Sequence, residues 1–164
     1  MGNLEFKKLE KKLLPESKTI NKAIENIRKE LERYADGKEL KGDEIVGWLG
    51  EIYAKLLLDG NLVPEDFEYD VQAGNKKVSV KARKGRKSSW KRSSAIPKIE
   101  GRGCPTHLMF FHLNDDYSID RVWLYPWTDL VKGKRFRKHI VRGNFRSYYF
   151  RVDVEKDNKY LYKM

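Results

Sequence analysis

The chain has 164 residues, long enough to bury a core without disulfides, and its one cysteine, Cys104, permits no internal one. It carries 35 Lys+Arg against 24 Asp+Glu, a net charge of +11. A mean hydropathy of -0.75, with no long apolar run, excludes a transmembrane helix. The lone cysteine points to a reducing compartment, and charges throughout Met1 to Leu13 exclude a signal peptide, so the expected location is cytoplasmic.

Residues 1–40 read as a helical extension ahead of a single compact α/β domain, residues 41–164. Leu4 to Leu14 is a Lys/Glu-rich helix closed by Pro15. Ser17 or Thr19 caps a second helix with an apolar stripe at Ile20, Ile24, Ile27, Leu31 and Tyr34, ended by Asp36-Gly37. This extension packs on the rest of the chain or mediates a dimer.

A third helix opens at Gly42-Asp43, with Asp43 as N-cap. Ile45, Leu49, Ile52 and Leu56 make its stripe, and Val46, Trp48, Tyr53, Leu57 and Leu58 widen it until the helix is apolar nearly all round. Glu51 is its one charge between Glu44 and Lys55. Its helical neighbours Gly47, Gly50, Ala54 and Leu58 form a mostly small face that lets a helix lie close to a sheet. A carboxylate there requires a cationic partner or a route to the surface.

Next comes a hairpin pattern. Residues 67–72 read as a strand, with Glu68, Asp70 and Gln72 on one face, and Gly74-Asn75 is a turn. Val78, Val80 and Ala82 then alternate with Ser79, Lys81 and Arg83, the period of a half-buried strand. Pairing the two strands brings a carboxylate and a lysine together at one end of a sheet. A carboxylate can hold a divalent ion, and a lysine can orient or deprotonate a water. Glu68 and Asp70 share a face, so either is a candidate carboxylate.

About residues 84–105, with Pro97, Gly101, Gly103 and Pro105, read as a long functional loop. Residues 107–113 (HLMFFHL) suit a buried strand, NDDYS a turn, and Ile119 to Tyr125 another strand. Trp127-Thr128-Asp129-Leu130 opens a short helix with Thr128 as cap. Residues 147–154 and 159–162 are further strands. His107, His112 and His139 have no metal-ligand spacing, and no Walker loop or dinucleotide fingerprint appears. A Cys104–His107 nucleophile pair is conceivable but lacks an orienting motif.

The charge is segregated. Residues 75–103 hold eleven basic residues and one acid, residues 132–151 hold eight and none, and the rest of the chain is net acidic. Two such segments look like a footprint for a polyphosphate backbone. The candidate DNA contacts in the first are Lys84, Arg86, Lys87, Ser88, Ser89, Trp90, Lys91, Arg92 and Arg102. Those in the second are Arg135, Arg137, Lys138, Arg142 and Arg146. Membrane-surface binding is the weaker alternative, because neither segment is a basic amphipathic helix.

Asp70, followed on the next strand by Ser79-Val80-Lys81, resembles the PD-(D/E)-x-K nuclease superfamily over roughly residues 42 to 130. Asp70 matches the first acid and Lys81 the lysine. Ser79 stands where the second acid belongs, and Tyr69 where the proline does. Gly50-Glu51 looks like the glutamate element on the helix before the core sheet, and can replace the missing carboxylate. The resemblance implies a restriction-endonuclease-like α/β core, a mixed sheet flanked by helices. It also implies Mg²⁺, with Mn²⁺ as a substitute, on Asp70, Glu51 and the Val80 carbonyl. Lys81 then activates water, and Ser79 holds a metal-bound water. A compact member without accessory domains looks most like a type II restriction endonuclease, a homodimer cutting double-stranded DNA at a short sequence. The alternatives are a Holliday-junction resolvase or repair nuclease of the same fold, and a non-catalytic DNA-binding protein.

Overall fold

The computed structural model describes residues 2–164, with side chains from Lys7 onward. The chain divides into two compact units, Met1–Ile45 and Val46–Met164.

In the first unit, α1 (Gly2–Glu32) is one continuous helix and not the two expected on either side of Pro15. Proline fixes a helical φ and forfeits only its own N–H bond and some straightness. The Thr19 hydroxyl donates to the Pro15 carbonyl at 3.1 Å, so Thr19 lies inside the helix and caps nothing. The proposed stripe is only partly buried: Leu31 is buried, Ile24 and Ile27 half-buried, and Ile20 and Tyr34 exposed. Asp36 and Gly37, both at positive φ, turn the chain after the helix.

The second unit is α/β, with a mixed sheet flanked by helices. Its strands are β1 (Asn61–Leu62), β2 (Val71–Ala73), β3 (Lys76–Lys84), β4 (Ser93–Ile96), β5 (His107–Leu113), β6 (Ile119–Pro126), β7 (Arg137–Val141) and β8 (Asn144–Arg151). Its helices are α2 (Ile45–Leu57), which begins on the last residue of the first unit, and α3 (Trp127–Lys132). One five-stranded sheet runs β1-β2-β3-β5-β6, and a three-stranded sheet runs β4-β8-β7. Among the described residues only β3 and β5 pair in parallel.

The β3–β5 and β5–β6 registers sort the side chains between the two faces of the large sheet. Val80 and Ala82 share one face with Met109 and Phe111. Ser79, Lys81 and Arg83 share the other with Leu108, Phe110 and His112. On that second face Leu108, Phe110, Trp123 and Tyr125 pack with Ile96, Phe150 and Val152 to form the core between the sheets. Trp127 and Leu130 of α3 join it. Arg83 ties the sheets together: its Nε–H donates to the Ser93 carbonyl at 2.9 Å and its Nη2–H to Ser94 Oγ at 3.2 Å.

Helix α2 covers the first face. A Cβ on Gly50 would lie 2.9 Å from Ala82 Cβ and 3.4 Å from Val80 Cγ1, so the small-residue side of α2 is the side that meets β3. Gly50→Val is therefore expected to destabilise the protein by about 1–3 kcal/mol through overpacking, read as a lower urea midpoint at unchanged slope.

Several boundaries differ from the sequence reading. The Ile45 N–H donates to the Asp43 carbonyl at 2.9 Å, a tight turn that delays α2, so Asp43 is not its N-cap. Pro126 occupies the N-cap position of α3 and the Trp127 N–H donates to the Thr106 carbonyl at 2.8 Å, so Thr128 is not needed as a cap. The strand expected over 67–72 is β2, starting at Val71, because a turn closes at Phe67 N–H to the Pro64 carbonyl. The long loop contains β4, whose buried Ser94 and Ile96 alternate with exposed Ala95. The second basic segment is the β7–β8 hairpin, while residues 156–160 form a 3-10 turn followed by a single bridge from Leu161 to Trp123.

Candidate metal centre and nucleic-acid interface

Asp70 sits at the end of β2. Its N–H donates to the Val78 carbonyl at 2.9 Å, so Asp70 and Val71 both meet Val78 where β2 begins. The Val80 N–H donates to Asp70 Oδ2 at 2.7 Å, so the carboxylate extends the sheet where the β2 backbone has run out. Along a strand, the N–H and C=O of one residue point to the same side. The Val80 carbonyl therefore points to the edge occupied by Asp70.

Ser79 is buried and Lys81 half-buried. Lys81 has no hydrogen-bond or ion-pair partner among the described residues. Glu51 is half-buried on α2, next to the Gly50 contact. Helix α2 approaches β3 from the Val80/Ala82 face, while Ser79 and Lys81 lie on the other. Glu68 belongs to the exposed turn before β2 and not to its ladder.

No cluster of three or more His, Cys, Asp or Glu side chains converges among the described residues. The oxygens at this edge are the Asp70 carboxylate and the Val80 carbonyl. Few protein oxygens, with water and substrate phosphate completing the shell, is the donor set Mg²⁺ accepts.

Burial pushes the Cys104 thiol upward against the opposing pull of Lys98, so the thiol stays protonated at neutral pH. His107 Nδ1 is paired with Thr106 Oγ1 at 2.9 Å. This environment does not activate a Cys104–His107 nucleophile.

The basic residues divide into tethered, buried and open. Trp90 is a core residue: it is 5% exposed and its ring stacks on His112 at 4.2 Å, which corrects its assignment as a DNA contact. Arg135 is likewise structural, gripping Asp157 through Nη1–Oδ1 at 2.8 Å and Nη2–Oδ2 at 2.9 Å. Lys87 pairs with Asp120 at 3.1 Å and Arg86 with Asp115 at 3.5 Å, so both are held against the large sheet's β5–β6 end. Lys84 lies over the Tyr117 ring at 4.6 Å. Ser88, Ser89, Lys91 and Arg102 are exposed on the connections flanking β4.

Arg92, Arg137 and Arg151, with Lys134 and Tyr149, line a cleft of about 630 Å³ on the small sheet. Asp153 and Glu155 line it as well. Lys138, Arg142 and Arg146 are exposed on the β7–β8 hairpin.

Two buried acids are absent from the sequence reading. Asp120 receives His112 Nδ1 and Arg121 Nε on Oδ2, at 2.9 and 3.1 Å. Burial raises its pKa, but Lys87, His112 and Arg121 together hold it below the usual carboxylate range. Asp157 accepts from Arg135, from the Tyr125 hydroxyl at 2.8 Å and from the Asp153 N–H at 2.9 Å. A lone acid within the alternation of β6 marks Asp120 in the sequence. Asp157 lies in a charged stretch and carries no such mark.

No family model matches the chain, and no curated protein matches it. Among the described residues no helix is long and apolar enough to cross a membrane.

Proposed function

We propose that the protein is a Mg²⁺-dependent DNA endonuclease of the PD-(D/E)-x-K type, with a restriction-endonuclease-like core, cutting double-stranded DNA at a short sequence as a homodimer. The observation that carries this reading is Asp70 at the end of β2, its carboxylate bonded to the amide of Val80, the residue next to the unpartnered Lys81. The mixed sheet, with β3 parallel to β5 and α2 laid over β3, supports it. So do the open cations of the small sheet, which suit a phosphate backbone.

In this reading Asp70, Glu51 and the Val80 carbonyl hold the ion. When bound, the ion polarises the scissile phosphate and activates water, and Mn²⁺ can replace it. Lys81 orients the attacking water and offsets the charge developing on the phosphoryl oxygens. Ser79, buried on β3, would hold a metal-bound water and supplies no charge.

A second reading, a non-catalytic DNA-binding protein, is favoured by one observation: Asp70 Oδ2 already serves the Val80 amide, and no second acid stands at position 79.

The test is incubation with unmethylated plasmid or phage DNA in Mg²⁺ and in Mn²⁺, beside the Asp70→Ala, Lys81→Ala double variant. Discrete bands from the wild type alone are the expected result. Cutting confined to four-way junctions would replace restriction by junction resolution. Salt-sensitive binding without cutting of any substrate would select the non-catalytic reading.

A further inference from the structure

The β7–β8 hairpin turns through Arg142 (φ 50) and Gly143 (φ 78), both left-handed, as a tight two-residue hairpin requires. Directly below the turn Ile140 and Phe145 face each other across the strands, and they are 57% and 52% exposed. The Phe145 ring packs edge-on against Tyr148 at 5.1 Å, which holds it in place. Two large apolar side chains, each more than half exposed and paired at a hairpin tip, make a small apolar patch of the kind that marks a contact site.

The charge around them selects the partner. Lys138, Arg142 and Arg146 lie within two residues of the pair along the hairpin, none has an ion-pair partner among the described residues, and residues 132–151 contain no acid. A second copy of the same hairpin would bring like charges together. A polyanion with apolar faces between its charges matches both features, and duplex DNA is such a polymer.

We propose that the hairpin tip is a wedge that enters the minor groove of duplex DNA and unstacks a base step, with Phe145 and Ile140 as the inserted side chains. Apolar wedges flanked by basic residues kink DNA in this way. Phe145 covers an unstacked base, Ile140 fills the gap across the strand, and the surrounding cations hold the two phosphate backbones. The choice of DNA rests on the proposed function, but the wedge does not depend on cleavage.

The test uses the full chain carrying Asp70→Asn, which prevents cutting, and duplexes with 2-aminopurine at successive positions. Binding is expected to raise fluorescence several-fold at one step. Ile140→Ala with Phe145→Ala should abolish the rise and weaken binding roughly tenfold or more, leaving the salt dependence unchanged. Lys138→Ala should instead reduce the salt slope by about one and keep the fluorescence rise. Phe145→Trp should restore stacking, and thermal unfolding of each variant confirms that it is folded.

An unchanged fluorescence rise in the double alanine variant overturns the proposal. So does failure to bind duplex DNA, or lost self-association on sedimentation with DNA binding intact, which would assign the tip to a second copy. Unstacking by a wild type that cuts nothing removes the endonuclease reading alone. Cutting without unstacking removes the wedge alone.

Discussion

Asp70→Asn is expected to reduce DNA cleavage by roughly 10²–10³-fold or more while leaving the protein folded and able to bind DNA. The asparagine keeps a side-chain oxygen to accept the Val80 N–H, the bond that Asp70 Oδ2 makes at 2.7 Å. It removes the negative charge that a divalent ion needs. Asp70→Ala removes both, leaving the Val80 amide without its acceptor, at a further cost of about 1–3 kcal/mol in stability.

The pair of variants separates two roles that the geometry superimposes. If Asp70 serves only to finish the β2 ladder, asparagine should be nearly silent and alanine should lower the urea midpoint. If it also holds the ion, asparagine should be inactive at wild-type stability. Lys81→Met, which keeps the stem and removes the charge, should match Asp70→Asn in cleavage, because Lys81 has no partner here to lose.

The large sheet was legible in the sequence because its strands carry strong signals. The apolar run at 107–113 is β5 in full, and Gly74-Asn75 is the turn between β2 and β3. The alternation from Val78 also predicted that Ser79 and Lys81 share a face. What it could not give is where β2 begins. That depends on the turn at Pro64–Phe67, and it decides that Asp70 meets Val80 through its side chain.

The small sheet was partly hidden, for a different reason. Residues 147–154 read as a strand and most of them lie in β8, but Ser94 and Ile96 of β4 are scattered among lysines and arginines, so composition there reads as loop. Its tight turn uses Arg142 where asparagine is usual, which conceals the hairpin. Trp90 was misassigned for the same reason: basic neighbours suggested a DNA contact, but its ring fills the space over His112. Local charge describes what surrounds a side chain in sequence, and only the fold says which side it faces.

Asp157→Ala is expected to destabilise the protein by about 3 kcal/mol or more, measured as a lower urea midpoint at unchanged slope. Asp157 is 1% exposed, and its removal leaves the Arg135 guanidinium, the Tyr125 hydroxyl and the Asp153 N–H without their acceptor. Arg135 keeps some access to water, its side chain being 28% exposed, which holds the cost near the lower end for a broken buried pair. Asp157→Asn should cost less, because its oxygen still accepts from the hydroxyl and the amide.

The same carboxylate sets part of the acid stability. Burial raises the Asp157 pKa, but bonds from Arg135, the Asp153 N–H and Tyr125 outweigh it and hold the group below the usual carboxylate range. A depressed carboxylate contributes stability that is fully present above its unfolded pKa and is lost as pH falls through the lower folded value. The Asp157 contribution should therefore persist at neutral pH and disappear below the ordinary carboxylate range. In Asp157→Asn the acid limb of the stability curve should be shallower by that contribution. It should not vanish, because Asp120 is depressed in the same direction. Replacing both partners with apolar residues of similar size, Arg135→Met with Asp157→Leu, should recover much of the loss, since no charge is then left buried alone.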